Sequence, residues 1–280
     1  MDRREIFGRI TADVEKGALV FPASADVALQ VQRALDDPDC SIDQAARLVK
    51  TEPLLAARVV AMANSAAYNS SGRESTDIKQ AVSRLGFRTL RSLANAVIVR
   101  QMAGGPSDPA HRAMARQLWE HSAHVAALAH VLARRVTHLD AETALFAGIL
   151  HEIGGFYLLS RAQEFPGLFE GDRNDLAAAW CGESEAMVGR AVLKILGVPH
   201  STQQVLEYYW DGYLALPPVS MGDTLLLADE LAPIASPLLR EKDYAERRAN
   251  IDVVLGDESL KGILTESADA VGSLTAALKF

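Results

Sequence analysis

The stretch Gly148-Ile149-Leu150-His151-Glu152-Ile153-Gly154-Gly155-Phe156 places two ionisable side chains inside an apolar run. With a helical period, Glu152 falls on the apolar face of a helix predicted over 140–161, and His151 falls on a stripe of small residues. Small residues allow another backbone to approach closely. A buried carboxylate without a partner costs several kcal/mol or takes up a proton. The stretch therefore predicts a core helix whose polar groups meet partners from elsewhere in the chain.

Two other predicted helices supply such partners. His121 lies on the apolar stripe of a helix predicted over 110–136, and Asp229 lies on the apolar face of a helix predicted over 219–235. Imidazole and carboxylate groups ligate divalent transition metals, and they also form hydrogen-bonded clusters in helical cores. The four inward-facing residues therefore predict either a metal site or a buried polar cluster. They are His121, His151, Glu152 and Asp229.

The composition predicts an all-α fold. Of 280 residues, 49% are apolar and only 6% are aromatic, and Ala and Leu, which favour helices, dominate. Apolar residues recur at three- and four-residue steps almost to the end of the chain, and no segment alternates like a strand. The remaining predicted helices span 2–17, 25–36, 41–52, 53–64, 77–85, 87–102, 183–196, 201–211 and 258–278.

The segment 104–109, which reads Gly-Gly-Pro-Ser-Asp-Pro, is the strongest loop signal in the chain. We place the boundary between two helical parts there. The prediction is a two-part helical bundle, with an N-terminal helical subdomain over 1–104 and a second helical domain over 105–280 that the C-terminal helix closes.

Charge and cysteine usage limit where the protein acts. With 28 basic and 36 acidic residues, the chain carries a formal charge of −8, so as a whole it repels nucleic acid and anionic membranes. Its two cysteines, Cys40 and Cys181, are too few for a disulfide framework. The first residues lack an apolar signal core, and no run approaches the roughly 18 uninterrupted apolar residues of a membrane span. We expect a cytoplasmic protein that does not enter a membrane.

One segment departs from this acidic background. Residues 73–100 carry six basic and two acidic side chains, so this segment has a charge of +4 and the remainder −12. Its predicted helix–Gly–helix unit over 77–101 superficially resembles a DNA-binding helix-turn-helix. The second helix is so apolar that we expect it to pack inside the protein. A more modest interpretation is a docking surface for an acidic partner or a phosphorylated ligand.

Five runs together resemble the HDOD family, the HD-related output domains of bacterial signalling. In the first half they are Arg58–Tyr68, which reads RVVAMANSAAY, and Ile78–Gly86, which reads IKQAVSRLG. In the second half they are Trp119–Ser122, Ala147–Gly154 and Leu226–Leu231. The resemblance covers most of the chain, and it implies an HD-like helical domain in the second half and a non-catalytic regulatory role.

The resemblance also assigns roles to the inward-facing residues. It places His121, His151, Glu152 and Asp229 at the metal-ligand positions of catalytic HD phosphohydrolases, where that class has Asp in place of Glu152. Family members commonly carry a histidine pair in the helix after a Gly-Leu-Pro turn, whereas this chain has Tyr208-Tyr209-Trp210 after its turn. The loss implies a vestigial site, kept as a polar cluster, that could hold a single divalent metal. No catalytic residue is assigned.

Three functions stay open at this point. The first is a regulatory module that binds a signalling protein or a small ligand, with no catalytic activity. The second is a metal-dependent phosphohydrolase or phosphodiesterase in which the metal activates water. The third, which we expect less, is nucleic-acid binding through 77–101. The predicted interaction surface consists of Asn64, Ser65, Lys79, Arg84, Arg88 and Arg91.

Other conspicuous residues are expected to have structural roles. His124 and His130 lie on the more polar side of their predicted helix, and we expect them to meet solvent. The aromatic run Tyr208-Tyr209-Trp210 is expected to fill the core or an interface.

Overall fold

The computed structural model describes residues 3–17, 26–102, 108–239 and 258–279, and these residues form helices and connecting turns with no strand. The predicted all-α class is therefore confirmed. The helices are α1 (Arg3–Glu15), α2 (Asp26–Leu35), α3 (Ile42–Val49), α4 (Pro53–Asn64), α5 (Ile78–Met102), α6 (Pro109–Leu132), α7 (Ala141–Leu150), α8 (Ile153–Ser160), α9 (Arg173–Trp180), α10 (Glu183–Ile195), α11 (His200–Asp211), α12 (Met221–Glu230), α13 (Glu258–Glu266) and α14 (Ala268–Leu278).

Local sequence signals explain several of these boundaries. Ser41 and Gln44 form a capping box at the start of α3, in which each side chain bonds to the backbone of the other residue. Pro53 occupies the first turn of α4, where its missing N–H costs nothing. Gly86 has a φ of 74°, which glycine adopts without strain, and it divides α5 into the two segments that the sequence predicts.

The prediction of one continuous helix over 140–161 is wrong. The segment forms two helices, α7 and α8, and the break falls at His151 and Glu152. The helix predicted over 258–278 is likewise interrupted, at Ser267. Helix α9 was not predicted from the sequence; Asp172 caps it by accepting a hydrogen bond from the Asn174 backbone.

Helices α6 and α7 approach each other closely in the core. A Cβ atom added to Gly148 would lie 2.4 Å from the Cα of Ala126, a distance that real Cβ atoms do not reach. The small-residue stripe on α7 therefore allows the backbone contact that the sequence predicts. This contact brings His151, at the end of α7, beside α6.

A single apolar cluster extends through both predicted parts of the chain. Helix α5 packs on α7 and α8, α1 packs on α9 and α10, and α14 packs on both α4 and α6. The Trp119 indole donates a hydrogen bond to the Leu278 carbonyl at 3.0 Å, which ties the last helix to α6. The predicted boundary at residue 104 lies outside the described residues, and the division into 1–104 and 105–280 stays a prediction.

The segment Ala141–Ser160, which contains α7 and α8, is long and apolar enough to cross a membrane, yet 89% of its most apolar window is buried inside the protein. This burial is typical of the core helices of a folded domain.

Candidate functional site

Three of the four predicted ligand residues meet in the core. His121 comes from α6, His151 follows α7, and Asp229 comes from α12. The Nε2 atoms of the two histidines lie 3.0 Å apart, and His121 Nε2 lies 3.2 Å from Asp229 Oδ1. All three side chains are buried. We call these three residues the acid–imidazole cluster.

Backbone carbonyls fix the orientation of both rings. His121 Nδ1 lies 2.7 Å from the Ile234 carbonyl, and His151 Nδ1 lies 2.7 Å from the Gly148 carbonyl. Because a carbonyl can only accept, each Nδ1 carries a hydrogen, and in the neutral rings both Nε2 atoms present lone pairs. Metal-ligating histidines are commonly held in this way, with the other ring nitrogen donating to a carbonyl.

Two lone pairs and a carboxylate oxygen at this separation need a positive charge among them. A proton is one solution. Burial by itself lowers the pKa of His121, but the hydrogen bond and charge of Asp229, together with the charge of Glu152, outweigh it and raise this pKa above the ordinary value. The protonated ring can then donate from Nε2 to the carboxylate.

A divalent metal is the other solution, and the donor set fits one. One ligand atom from each of the three residues lies within 4.8 Å of the others. Two imidazole nitrogens and a carboxylate oxygen suit zinc, manganese and similar ions. His121, His151 and Asp229 are the residues that would hold the ion.

Glu152 is placed beside the cluster and is not one of the three converging ligands. It occupies the position immediately before α8, and it lines a cavity of about 270 Å³. Among the described residues that line this cavity are a second carboxylate, Glu185, and three aromatic residues, and none is a lysine or arginine. The space next to the cluster is therefore acidic and apolar.

Tyr209 is a site residue that the sequence analysis treated as filler. Its hydroxyl donates a hydrogen bond to Asp229 Oδ2 at 3.1 Å, and its ring meets the His151 ring edge-on at 5.3 Å between centroids. The sequence signal for this role is the position of Tyr209, which lies on the helix in which members of the family often carry histidines.

The predicted interaction surface separates into two groups. Asn64 exchanges two hydrogen bonds with the backbone of Ser75, at 2.8 and 2.7 Å. Ser65 is buried and donates to Met62, and Arg84 donates to the carbonyls of Ala63 and Arg73. These three side chains hold the loop between α4 and α5, and the interaction role that we predicted for them stays a prediction.

In the second group, Lys79 and Arg88 are exposed and Arg91 is half-buried. Lys79 forms a 2.6 Å ion pair with Asp43, while Arg88 bonds to Asp140 and Arg91 lies 3.4 Å from Asp36. The rest of the second half of α5 is almost entirely buried. This burial removes the free helix face that insertion into a DNA groove would require.

The expectation that His130 meets solvent is wrong. The side chain is buried, and its Nε2 lies 3.6 Å from Glu142 Oε1. Glu142 also accepts hydrogen bonds from the Tyr68 hydroxyl at 2.6 Å and the Thr89 hydroxyl at 2.7 Å. Burial alone would raise the pKa of Glu142, but bonds from His130, Tyr68 and Thr89 lower it below the ordinary value. These contacts join α5 to α6 and α7.

His124 is half-buried, and burial lowers its pKa, although its Nδ1 bonds to the Glu120 carbonyl at 2.7 Å. It therefore meets solvent only in part.

Comparisons with known proteins identify the family and the fold. The family model of the HDOD domain matches residues 21–211. A proposed metal-dependent phosphohydrolase from Shewanella amazonensis SB2B is 25% identical, with 99% of each chain covered and a TM-score of 0.74. An HDOD domain protein of unknown function from Geobacter sulfurreducens is 24% identical, with 98% of this chain and 97% of that chain covered and a TM-score of 0.59.

A proposed signal transduction protein from Marinobacter aquaeolei VT8 is 20% identical, with 93% of this chain and 60% of that chain covered and a TM-score of 0.56. At this identity, and at that of the Geobacter protein, the likeness concerns the fold alone. No curated protein matches the chain.

Proposed function

Because this chain belongs to the HDOD family, we propose that it is a non-catalytic signal-transduction module, which acts by binding a protein partner or a small ligand. The observation that carries the proposal is the character of the candidate site. The acid–imidazole cluster is buried, and the cavity beside it is walled by two carboxylates and aromatic rings. A phosphate ester is an anion, and this wall repels it.

The departures from the catalytic class support the same conclusion. Glu152 stands where that class has Asp, and it faces the neighbouring cavity rather than completing the converging donor set. Tyr209 bonds to Asp229 from the helix on which related proteins often carry histidines. The remaining donors can hold one ion, with no second set of ligands beside it among the described residues.

The metal in this proposal is a single divalent ion held by His121, His151 and Asp229. When bound, such an ion lowers the pKa of a coordinated water and can generate a nucleophile. The residues of this chain favour a structural use of the cluster, since His121 on α6 contacts both His151, at the end of α7, and Asp229 on α12. We propose that the cluster maintains the packing of α6, α7 and α12, with or without an ion.

The second candidate is a metal-dependent phosphohydrolase. The convergent donor set favours it, and so does the similarity to the Shewanella protein, which carries that description. Among the described residues that line the cavity, no lysine or arginine is present to bind phosphate. For this reason we rank it below the binding module.

The experiment that separates the two combines metal analysis with a hydrolysis assay. Purified protein is loaded with manganese or zinc, its metal content is measured, and it is assayed with bis(p-nitrophenyl) phosphate and with cyclic nucleotides. We expect no more than one bound ion per chain and hydrolysis equal to that of the Asp229→Ala variant. Turnover by the wild-type chain that this variant lacks, while circular dichroism shows that it remains folded, would establish the phosphohydrolase.

We also propose the cell compartment in which the protein acts and the kind of partner that it binds. The low cysteine content supports a cytoplasmic protein, and the family supports a bacterial protein with a partner in a signalling pathway. Binding to random DNA that falls steeply as salt rises would instead favour the nucleic-acid hypothesis. We expect no such binding, because the second half of α5, which would be the recognition helix, is buried apart from a few side chains.

A further inference from the structure

A second cavity, of about 370 Å³, lies where α2 and α5 meet α7 and the start of α11. The residues that matter for its chemistry are Arg88, Arg91, Asn95, Thr143, Ser201 and Thr202. We call it the junction groove. Its volume lies in the range of small-molecule sites, which is about 300 to 1,000 Å³. Residues from both predicted parts of the chain line the groove, and no residue of the acid–imidazole cluster does.

The groove brings two guanidinium groups together with a helix N-terminus. Arg88 and Arg91 come from α5, and α11 is a 12-residue helix that begins at His200. The residue before it is Pro199, which offers no side-chain cap to the first amide groups of the helix. Uncapped amide groups and the helix dipole attract anions, and phosphate is a common ligand of such helix starts.

The carboxylates near the groove are already engaged. Asp36 lies 3.4 Å from Arg91 in an exposed pair, and Asp140 bonds to Arg88 at the surface. Exposed pairs of this kind contribute little to stability, so a phosphate group can replace either carboxylate. Glu142, which also lines the groove, is held by Tyr68 and Thr89.

Two buried polar atoms at the groove have no partner among the described residues. Asn95 is 2% exposed; its Nδ2 donates to the Arg91 carbonyl at 3.0 Å, and its Oδ1 accepts no hydrogen bond. Arg91 Nε is buried and has no acceptor. Leaving a buried polar atom without a partner destabilises a protein, and buried polar groups normally form hydrogen bonds. A ligand that carries both an acceptor and a donor would satisfy both atoms.

We propose that the junction groove binds a phosphorylated small molecule of about nucleotide size. Its phosphate lies between Arg88, Arg91 and the N-terminus of α11, and a hydroxyl or amino group donates to Asn95 Oδ1. The inference rests on the proposed function only in that the chain acts by binding. The junction groove and the acid–imidazole cluster share no residue. A failure of the groove to bind phosphate compounds is therefore distinguishable from hydrolysis at the cluster, which would contradict the proposed function.

The test is isothermal titration calorimetry of the full chain with three probes: inorganic phosphate, ribose 5-phosphate and adenosine 5′-monophosphate. We expect the two sugar phosphates to bind with a Kd below about 1 mM, and inorganic phosphate to bind at least about tenfold more weakly. The Arg91→Ala variant should weaken all three by about tenfold or more. The Arg116→Ala variant removes an exposed arginine outside the groove, and it should bind like the wild type.

Asn95→Ser tests the donor contact, with thermal melting as the check that the variant folds. It should weaken the sugar phosphates by about tenfold and leave inorganic phosphate unchanged. The proposal is overturned if no probe binds at concentrations up to about 10 mM, or if Arg91→Ala binds like the wild type. An equal loss for inorganic phosphate and ribose 5-phosphate in Asn95→Ser would overturn the role of Asn95.

Discussion

His121 and His151 face each other through their Nε2 atoms at 3.0 Å, while each ring donates its Nδ1 hydrogen to a carbonyl. The two facing lone pairs repel each other unless a positive charge lies beside them. The carboxylate of Asp229, whose Oδ1 lies 3.2 Å from His121 Nε2, stabilises such a charge. The three residues join helices that are far apart in sequence. Their geometry therefore accounts for the packing of the second half of the chain as directly as it suggests a metal site.

Replacing Tyr209 with Phe should destabilise the protein by about 1 to 2 kcal/mol. The change removes a hydroxyl that donates to Asp229 Oδ2 at 3.1 Å, and a hydrogen bond to a charged group contributes about 1.5 to 3 kcal/mol. Urea unfolding measures the difference. Tyr213→Phe is the matched control, since that side chain is 89% exposed, and it should change stability by less than about 0.5 kcal/mol. Equal stability of the two variants would contradict a structural role for the Tyr209 hydroxyl.

Gly148→Ala should cost about 1 to 3 kcal/mol, because the new Cβ would lie 2.4 Å from the Cα of Ala126 and the two helices must separate. Gly262→Ala is the control in α13, where a Cβ meets nothing within 4 Å. That change should be neutral or stabilising by up to about 1 kcal/mol, since Ala favours a helix more than Gly does. If both variants melt at the same temperature, the tight contact between α6 and α7 is not a determinant of stability.

The pKa of Glu142 predicts a pH dependence. Because its pKa is lowered in the folded protein, the carboxylate contributes stability above its ordinary pKa near 4.5 and loses that contribution as the pH falls toward the folded value. Glu142→Gln should be less stable than the wild type by about 1 to 3 kcal/mol at neutral pH.

The measurement is the difference in unfolding free energy between Glu142→Gln and the wild type, taken across pH 7 to about pH 3. Other carboxylates titrate in both proteins and cancel in the difference. We expect the gap to shrink below about pH 4.5. A gap that stays constant or widens in acid would show that Glu142 does not act through its charge.

The sequence predicted much of the fold because local signals determine helix ends. Ser41, Pro53 and Gly86 each act through their own backbone or side chain, so the boundaries near them could be predicted. The inward orientation of His121 and Asp229 followed from helical periodicity, since both lie among apolar residues on one face.

The errors have tertiary causes. His130 lies between Ala129 and Val131, and its polar partners, Tyr68 and Glu142, come from distant parts of the chain, which no local pattern reveals. The break at His151 and Glu152 interrupts a run whose apolar period continues across it, so periodicity predicts one helix. The role of Tyr209 depends on how α11 meets α12, which spacing within either helix cannot show.

A double-mutant cycle between His121→Gln and Asp229→Asn tests most directly whether the buried cluster holds the helices together. The unfolding free energies of the wild type, both single variants and the double variant are measured in urea at neutral pH. The account predicts a favourable coupling energy of about 1.5 to 3 kcal/mol, as expected for buried residues in direct contact. Additive effects of the two changes, with a coupling energy near zero, would contradict it.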